Sequence, residues 1–300
     1  MQYFLELTFS GLSRGSIYAL IALGYTMVYG IIQLINFAHG EIYMIGAFVA
    51  LIVSGILTIY GFSGPAILIL AALLAMVYAA AYGYTLEKIA YRPLRDAPRL
   101  SPLISAIGMS LFLQNYVMLA QTADFLPFPA LIPEFAFMEP VAHLIGSAEV
   151  VIFAVTLLAM VLLTLLIKWT RIGKAMRATQ QDMVMARLSG VDVDRVISVT
   201  FIIGSVLAAL GGVLVGSYIG QINSTIGFNA GIKAFTAAVL GGIGNIPGAV
   251  LGAFVLGLTE AYAAGYVASA YEDVFAFALL VLILILRPAG LLGRAVRQKV

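Results

Sequence analysis

The stretch GSIYALIALGYTMVYGIIQLINFAHGEIYMIGAF, residues 15–48, places two long apolar segments on either side of the short polar run NFAHGE. A helix needs roughly 20 apolar residues to cross the hydrocarbon core of a bilayer, and each segment reaches this length once its flank is included. The stretch therefore predicts two membrane-spanning helices joined by a short connection.

The composition of the whole chain agrees with this interpretation. Of its 300 residues, 62% are hydrophobic and only 10% are charged, whereas about a quarter of the residues of a soluble domain are charged. The mean hydropathy is +1.06. These values predict an all-α polytopic membrane protein in which little of the chain remains for an extramembrane domain.

Hydropathy predicts about eight or nine transmembrane helices. The seventh apolar segment is short and flanked by glycine, so it is either a complete crossing or a re-entrant or broken helix. The first segment lacks the basic flank of a cleavable signal peptide, and we interpret residues 1–300 as a single transmembrane domain. The nine segments cover residues 10–32, 41–60, 65–86, 101–121, 148–167, 196–220, 228–242, 247–266 and 274–286.

Lysine and arginine are concentrated in three of the connections. These connections hold 14 of the 16 cations of the chain, and cytoplasmic loops of membrane proteins are rich in such residues. We therefore expect the three connections to face the cytoplasm, the N-terminus to lie outside and the C-terminus to lie in the cytoplasm. The cationic connections are residues 88–99, 168–195 and 287–299.

The longest polar run of the chain, TRIGKAMRATQQDMVMARLSGVD at residues 170–192, lies in the second of these connections. Asp182, Ala186 and Gly190 recur every four residues. Arg177 and Ala178 precede them by about one turn, so that one continuous helix would place these small and polar groups on one face. Small residues on an exposed helix allow another surface to approach closely. The alternative is a connecting helix whose charges only fix the topology of the chain.

This pattern, which begins at Gly173, resembles the cytoplasmic coupling loop of permeases in bacterial ABC importers, the EAA-type loop. The first two letters of the usual motif are absent, and the Arg-Ala version is similar to that of the branched-chain amino acid permeases, the LivH type. Residues 15–48 and the segment GIKAFTAAVLGGIGNIPGAVLGA at 231–253 are similar to the same family. The resemblance therefore covers nearly all of the chain.

The resemblance implies a transport role and a set of partners. The complete importer would contain this chain, a related LivM-type permease, two ATP-binding subunits and a periplasmic solute-binding protein that delivers leucine, isoleucine or valine. The location implied is the bacterial inner membrane. Residues 168–195 would be the cytoplasmic coupling loop, and the residues implied to meet the ATPase are Gly173, Arg177, Ala178, Asp182, Ala186 and Gly190.

Several kinds of chemistry find no support in the sequence. The chain has no G-x-x-x-x-G-K-[ST] motif, so we expect ATP to be bound by the partner subunits and no cofactor or catalytic residue to belong to this chain. With no cysteine and two histidines, it offers no recognisable metal-ligand spacing. Around the helices we expect membrane lipid, and no nucleic acid.

Polar residues inside the first long stretch are candidates for lining a transport pathway. Ionisable groups within a membrane are rarely placed without a paired or aqueous environment. The run NFAHGE contributes Asn36, His39 and Glu41. Glu41 either caps the N-terminus of the next helix, where its charge meets the positive end of the helix dipole, or lines the inner mouth of the pathway.

The segment GGIGNIPG, residues 241–248, is the second candidate region. It is either a tight turn between two helices or part of a discontinuous helix of the kind that marks transport sites. Asn245 lies within it, and Lys233 and Glu260 flank it. These two charges either neutralise each other, if their helices lie side by side, or line the pathway.

Glycines at every fourth position form a further pattern, a double small-xxx-small stripe on the sixth apolar segment. Such a stripe permits close helix contact, more often within one chain than between subunits. The stripe consists of Gly212, Gly216 and Gly220.

The residues by themselves leave two other transport classes open. An ion-coupled secondary transporter would use intramembrane carboxylates such as Glu41 or Glu260 to carry the coupling. A channel would need no coupling loop at all. For an ABC permease, amides, urea or other amino acids are alternative substrates.

Overall fold

The computed structural model describes residues 2–95, 97–98, 100–135 and 145–293, and the structural statements that follow concern these residues. Four of the cations expected to face the cytoplasm lie outside this part of the chain: Arg99, Arg294, Arg297 and Lys299.

The described chain is built almost entirely from helices. A π-helical turn, Glu87–Tyr91, and a 3-10 turn, Arg92–Leu94, prolong the third helix, and a 3-10 turn, Ser269–Tyr271, precedes the last. The α-helices are α1 Gln2–Ile32, α2 His39–Ile59, α3 Gly64–Leu86, α4 Leu100–Ala120, α5 Ser147–Trp169, α6 Arg171–Gln181, α7 Met183–Leu188, α8 Val193–Ile219, α9 Ile226–Gly241, α10 Ile246–Tyr266 and α11 Glu272–Leu286.

The predicted fold class is confirmed, because each of the nine apolar segments forms a helix. Eight helical segments of the described chain are long and apolar enough to cross a membrane. The ninth, α9, is one continuous helix of 16 residues. At 1.5 Å per residue it extends about 24 Å, somewhat less than the roughly 30 Å of a hydrocarbon core.

The first helix begins at Gln2, eight residues before the predicted start at residue 10. Gln2, Glu6 and Thr8 interrupt the apolar residues of this first part, and contacts with α10 stabilise it. Tyr3 donates a hydrogen bond to the Gly265 carbonyl at 2.8 Å, and the Thr8 hydroxyl lies 2.9 Å from that of Tyr262. Tertiary contacts therefore extend the helix beyond its apolar part.

A pair of very short strands also escaped prediction. Leu126–Pro127, β1, pairs antiparallel with Gln221–Ile222, β2. The pairing fastens the connection after α4 to the end of α8. Two residues per strand give no period that a sequence pattern can reveal.

The helices divide into a buried centre and an exposed periphery. In the most apolar 18-residue stretch of each helix, 83% of the residues of α1 are buried, against 22% of those of α4 and of α5. Only 6% are buried in the window that contains α11. Apolar side chains that face outward from these peripheral helices are the surface expected of a chain surrounded by lipid.

Glycine allows the central helices to approach until their backbones touch. A Cβ atom added to Gly15 of α1 would lie 2.8 Å from the Phe254 Cα atom of α10. In the stripe on α8, Gly212 meets the Tyr43 carbonyl of α2, and Gly216 lies under the ring of Phe128. The stripe thus packs within its own chain, as predicted. Its last member, Gly220, ends α8 with a left-handed φ of 76°.

The contact between α2 and α8 can be tested at Gly46, where an added Cβ would stand 2.5 Å from the Ala209 Cα atom. We expect Gly46→Ala to destabilise the detergent-solubilised protein by about 1–3 kcal/mol, because the two helices must move apart. Gly55→Ala is the matched control, since the same helix has nothing within 4 Å of that position. If thermal unfolding showed the same loss of stability for Gly46→Ala and Gly55→Ala, this account of the packing would be contradicted.

Candidate functional site

The polar run NFAHGE leads directly into the buried start of α2. His39 is 1% exposed and Glu41 is not exposed at all. Glu41 lies in the first turn, but the N-cap residue is Ala38 and no side chain caps the helix. Instead, one Glu41 carboxylate oxygen accepts a hydrogen bond from Ser110 of α4 at 2.9 Å. The expectation that Glu41 caps the helix is therefore wrong, because its side chain points across to a neighbouring helix.

His39 occupies a niche whose walls are glycine. A Cβ atom at Gly24 of α1 would overlap the His39 ring, and one at Gly204 of α8 would lie 3.4 Å from it. The ring of Tyr25 packs against the imidazole edge to face at 4.8 Å between centroids. In this conformation His39 is enclosed by helices rather than facing an open pathway.

Asn36 lies three residues before His39 and is also buried. Its side-chain oxygen accepts a hydrogen bond from Tyr91 at 2.9 Å. Polar atoms of this run nevertheless lack partners: Asn36 Nδ2, His39 Nε2 and one Glu41 oxygen, Oε2, are buried without a hydrogen bond. Each such atom costs about 1–3 kcal/mol. A conformation that brought water or a polar group to them would recover this free energy, which favours a functional role for the run.

The expectation that Lys233 and Glu260 neutralise each other is confirmed. The Lys233 Nζ atom of α9 lies 3.2 Å from a carboxylate oxygen of Glu260 in α10. It also contacts Asp273 at 2.8 Å and Glu272 at 3.5 Å, at the start of α11. Tyr18 of α1 donates a hydrogen bond of 2.6 Å to the second oxygen of Glu260. We call this group, together with Arg14, the α11 charge cluster.

The α11 charge cluster fastens four helices. Arg14 of α1 completes it with an ion pair of 2.8 Å to Glu272. Glu260 is fully buried and the Lys233 side chain is 18% exposed, so the pair lies between helices and does not face a wide opening. Because α11 is the most exposed of the membrane-length helices, these charges are a main attachment of its first turn.

The segment GGIGNIPG forms the tight turn between α9 and α10. Gly242 and Gly244 have φ angles of 103° and 89°, which side chains other than glycine rarely adopt. Asn245 caps α10 by accepting a hydrogen bond from the Gly248 amide at 3.1 Å. Its amide group donates to the Leu292 carbonyl at 2.7 Å. The tight-turn interpretation is confirmed, and Asn245 stabilises that turn.

The polar run 170–192 folds into two helices instead of one. Asp182 breaks them with an extended conformation, φ −161° and ψ 110°, and its side chain accepts hydrogen bonds from the Val184 and Met185 amides. The expectation that Arg177, Ala178, Asp182, Ala186 and Gly190 share one helical face is therefore wrong. The reason is local, since an aspartate that caps a new helix satisfies backbone donors that a continuous helix would pair elsewhere.

The small residues of this run differ in their surroundings. Gly173 and Ala186 are buried within the chain, the former against the last carbonyls of α5. Ala178 is half-buried, and Gly190 is exposed with a left-handed φ of 83°. Gly173 and Ala186 thus serve packing inside the chain.

Arg177 fixes α6 to the end of α5. Its guanidinium group donates hydrogen bonds to the carbonyl groups of Ile167 and Lys168, the latter at 3.1 Å. These carbonyls belong to the last turn of α5, where a cation also interacts favourably with the helix dipole.

An exposed apolar surface on α7 was not recognised from the sequence. Val184 is 65% exposed, Met185 61% and Leu188 78%. We call these three residues the α7 patch. The signal was present, since MVMARL at residues 183–188 interrupts the longest polar run with apolar residues.

The polar run 170–192 and the tight turn between α9 and α10 meet at a cavity of about 600 Å³. Arg177 and Gln180 of α6 line one side and Asn245 lines another, with parts of α1 and α5 between them. Close to it, a Cβ atom at Gly30 of α1 would stand 3.3 Å from the Gly244 Cα atom. The structure thus places α6 beside the turn between α9 and α10, which the sequence separates by some sixty residues.

The remaining sequence-predicted residues are not brought into one site. Among the described residues there is no group of three or more histidine, cysteine or acidic side chains placed to hold a metal ion. Asn36, His39 and Glu41 lie at the start of α2, whereas Lys233 and Glu260 belong to the α11 charge cluster. The candidate site is therefore a set of three regions, namely the α2 start, the cavity beside α6 and the α7 patch.

Comparison with known proteins identifies similar chains over almost the full length. Residues 7–284 match the family model described as "Branched-chain amino acid transport system / permease component". The chain is 50% identical over 302 aligned residues to the high-affinity branched-chain amino acid transport system permease protein LivH of Escherichia coli K12, covering 99% of this chain and 98% of that one. It is 51% identical, with the same coverage, to the permease protein BraD of Pseudomonas aeruginosa.

The α11 charge cluster yields a test by substitution. Lys233→Met leaves the buried Glu260 carboxylate without its cation, and we expect a loss of about 3 kcal/mol in the free energy of unfolding. Lys233→Met with Glu260→Gln removes both charges and should recover part of this loss. Arg14→Gln is the control, because its ion pair is more exposed and should contribute less than about 1 kcal/mol.

Thermal unfolding of the purified variants in detergent distinguishes these cases. Equal stability of Lys233→Met and of the doubly substituted chain would show that the carboxylate does not depend on Lys233.

Proposed function

Since the chain belongs to the family of branched-chain amino acid transport system permease components, we propose that it carries leucine, isoleucine and valine across the bacterial inner membrane within an ABC importer. It is a multi-pass transport subunit and not a catalytic enzyme. The observation that supports the proposal most is the identity of about half of all residues, over nearly the whole chain, to permease proteins of high-affinity branched-chain amino acid transport systems.

Energy and substrate capture belong to other subunits in this proposal. The chain has no phosphate-binding P-loop, and its connections are too short for a solute-binding domain. Two ATP-binding subunits and a periplasmic binding protein supply these functions, and a LivM-type chain is the second permease. This chain needs no cofactor in the proposal, since ATP is bound by the partner subunits. Amides, urea or other amino acids are the alternative cargo, because the binding protein selects what reaches the permease.

The α7 patch is the surface we assign to the ATP-binding subunit. Exposed apolar residues at the tip of a polar connection are typical of a protein contact. The three residues face away from the chain on a short helix that Asp182 begins. Ala178 is half-buried and Gly190 is exposed, whereas Arg177 and Asp182 hold α6 and α7 in place. The proposed contact is thus apolar at its centre and polar at its rim.

The position of α6 supports alternating access as the mechanism. Closure of the ATP-binding subunits displaces α7 and, with it, α6, which lines the cavity opposite Asn245. The turn between α9 and α10 and the end of α1 meet at that cavity, so a displacement of α6 bears on both. The role of the chain is mechanical coupling, and no covalent chemistry is required of it.

Charge placed in the α7 patch tests this proposal. Leu188→Asp and Met185→Asp put a carboxylate in the centre of the proposed contact, and we expect each to weaken copurification of the ATP-binding subunit at least tenfold. Such a loss corresponds to about 1.4 kcal/mol, within the range for truncation of an interface residue. Both side chains are exposed, so the fold of the permease should persist.

Arg195→Gln, at an exposed position on the first turn of α8, serves as the control. Mass spectrometry of the protein purified from its native membrane gives the partners directly. Copurification of ATP-binding subunits that survives both aspartate substitutions would remove the α7 patch from the interface. Uptake by the chain alone, driven by an ion gradient, would instead favour a secondary transporter.

A further inference from the structure

A group of ion pairs joins the start of α8 to the turns that follow α3. Asp194, in the first turn of α8, receives hydrogen bonds from Arg92 at 2.6 Å and from Arg95 at 2.5 Å. Arg187 of α7 lies 3.8 Å from the same carboxylate. Asp194 therefore touches both the helix that carries the α7 patch and the end of α3.

The group continues inward to a buried carboxylate. Arg95 also pairs with Glu87, whose other oxygen accepts a hydrogen bond of 2.7 Å from Ser198. Glu87 is not exposed and the Arg95 side chain is 13% exposed. Charges this well buried are little screened, and separating them leaves an uncompensated charge. The ion pair of Arg95 with Asp194 and the hydrogen bond from Ser198 to Glu87 thus resist a change in the distance between the end of α3 and α8.

Glu87 and Tyr91 are the first and last residues of the π-helical turn. Tyr91 is 1% exposed, packs on Phe201 at 5.1 Å between ring centroids and donates its hydroxyl hydrogen to Asn36 at 2.9 Å. A single π-helical turn within a helix is frequent at functional sites. Its conversion to α-helix changes the register by one residue, which rotates the following side chains by about 100°.

These contacts form one continuous route from α7 to the polar run before α2. The route runs from Arg187 through Asp194 and Arg95 to Glu87, the first residue of the π-helical turn. From Tyr91, the last residue of that turn, it continues to Asn36. His39 and Glu41 follow within five residues, and both have a buried polar atom without a partner. Because Asn36 lies on the connection directly before α2, a displacement of Asn36 changes the surroundings of those atoms.

We propose that this route transmits movement of the α7 patch to the start of α2, with the π-helical turn as its switching element and with Asp194 and Tyr91 as positioning residues. The inference rests on the proposed function, because it takes the ATP-binding subunit as the source of the movement. Asp194 couples α7 and α8 to α3, and Tyr91 couples α3 to the run that contains Asn36.

Distance measurements between spin labels test the route directly. The chain contains no cysteine, so pairs introduced by substitution are its only labels once cysteines of the partners are replaced. Gln33→Cys with Ile219→Cys reports the connection before α2, and Gln181→Cys with Ile219→Cys reports the end of α6. All three positions are exposed, and Ile219 ends α8 at the side opposite Asp194.

We expect a non-hydrolysable ATP analogue to shift both distances in the reconstituted transporter when Asp194 and Tyr91 are unchanged. In Tyr91→Phe the shift at residue 181 should persist, while the shift at residue 33 falls to less than half. Tyr84→Phe is the matched control, because Tyr84 lies on the same helix, is 39% exposed and contacts Lys88 through its ring. If Tyr91 had only a structural role, Tyr91→Phe would lower the stability of the protein but would change the shifts at residues 33 and 181 alike.

Transport per ATP hydrolysed gives the functional measurement. Asp194→Asn and Tyr91→Phe should each lower this ratio by roughly fivefold or more, the lower end of coupling between sites, while ATP hydrolysis continues. Asp192→Asn is the control for the loss of one carboxylate. Asp192 caps α8 through the Arg195 amide at 3.0 Å, and asparagine caps equally well.

The outcomes separate the route from the proposed function. If the unsubstituted chain does not copurify with ATP-binding subunits, the proposed function fails and the route fails with it. If it copurifies, and both variants match their controls in label distances and in transport ratio, the route alone is overturned. Should Asp194→Asn prevent assembly, Tyr91→Phe decides by itself, since it removes one hydroxyl group and keeps the ring.

Discussion

Direct contact between helix backbones is the constraint on which the structure depends. Gly11 and Gly15 of α1 face Leu258 and Phe254 of α10 so closely that a single added carbon would collide with the backbone. In lipid there is no hydrophobic force between helices, so their association relies on such van der Waals contact and on internal hydrogen bonds. The central helices provide the contact, and the peripheral helices with their outward apolar faces attach to them.

Polar groups around this centre occur in two different states. In the α11 charge cluster and in the group around Asp194, most of the charges are paired, and the pairs join neighbouring helices. At the start of α2, buried polar atoms of Asn36, His39 and Glu41 lack partners. One buried atom each of Arg95 and Glu260 also lacks a hydrogen bond. A protein that must change shape needs well-paired regions and regions that are paired less favourably, and this chain contains both.

Much of the fold was predictable from the sequence because it depends on periodicity and composition. The apolar segments, the tight turn at GGIGNIPG and the pairing of Lys233 with Glu260 all follow from residue type and spacing. The failures have a common cause in contacts between distant parts of the chain. The early start of α1 requires α10, and the side-chain direction of Glu41 requires Ser110 of α4.

The candidate site was less predictable than the fold. The run 170–192 was expected to present one helical face, but Asp182 caps a second helix, and this local competition decides which residues reach the surface. As a result the exposed residues of α7 are apolar ones that the polar character of the run concealed. The orientation of the chain in the membrane stays a prediction, resting on the three cationic connections.

The backbone contact between α1 and α10 also limits how the molecule can deform. Two helices in contact through glycine cannot rotate about their own axes without driving a neighbouring side chain into the partner backbone, so they form a rigid body. Shear is then confined to interfaces made of longer side chains, where rotamers can exchange. In this permease α1 and α10 are therefore the helices least able to move relative to each other. The more exposed α4 and α11 are freer to move against them.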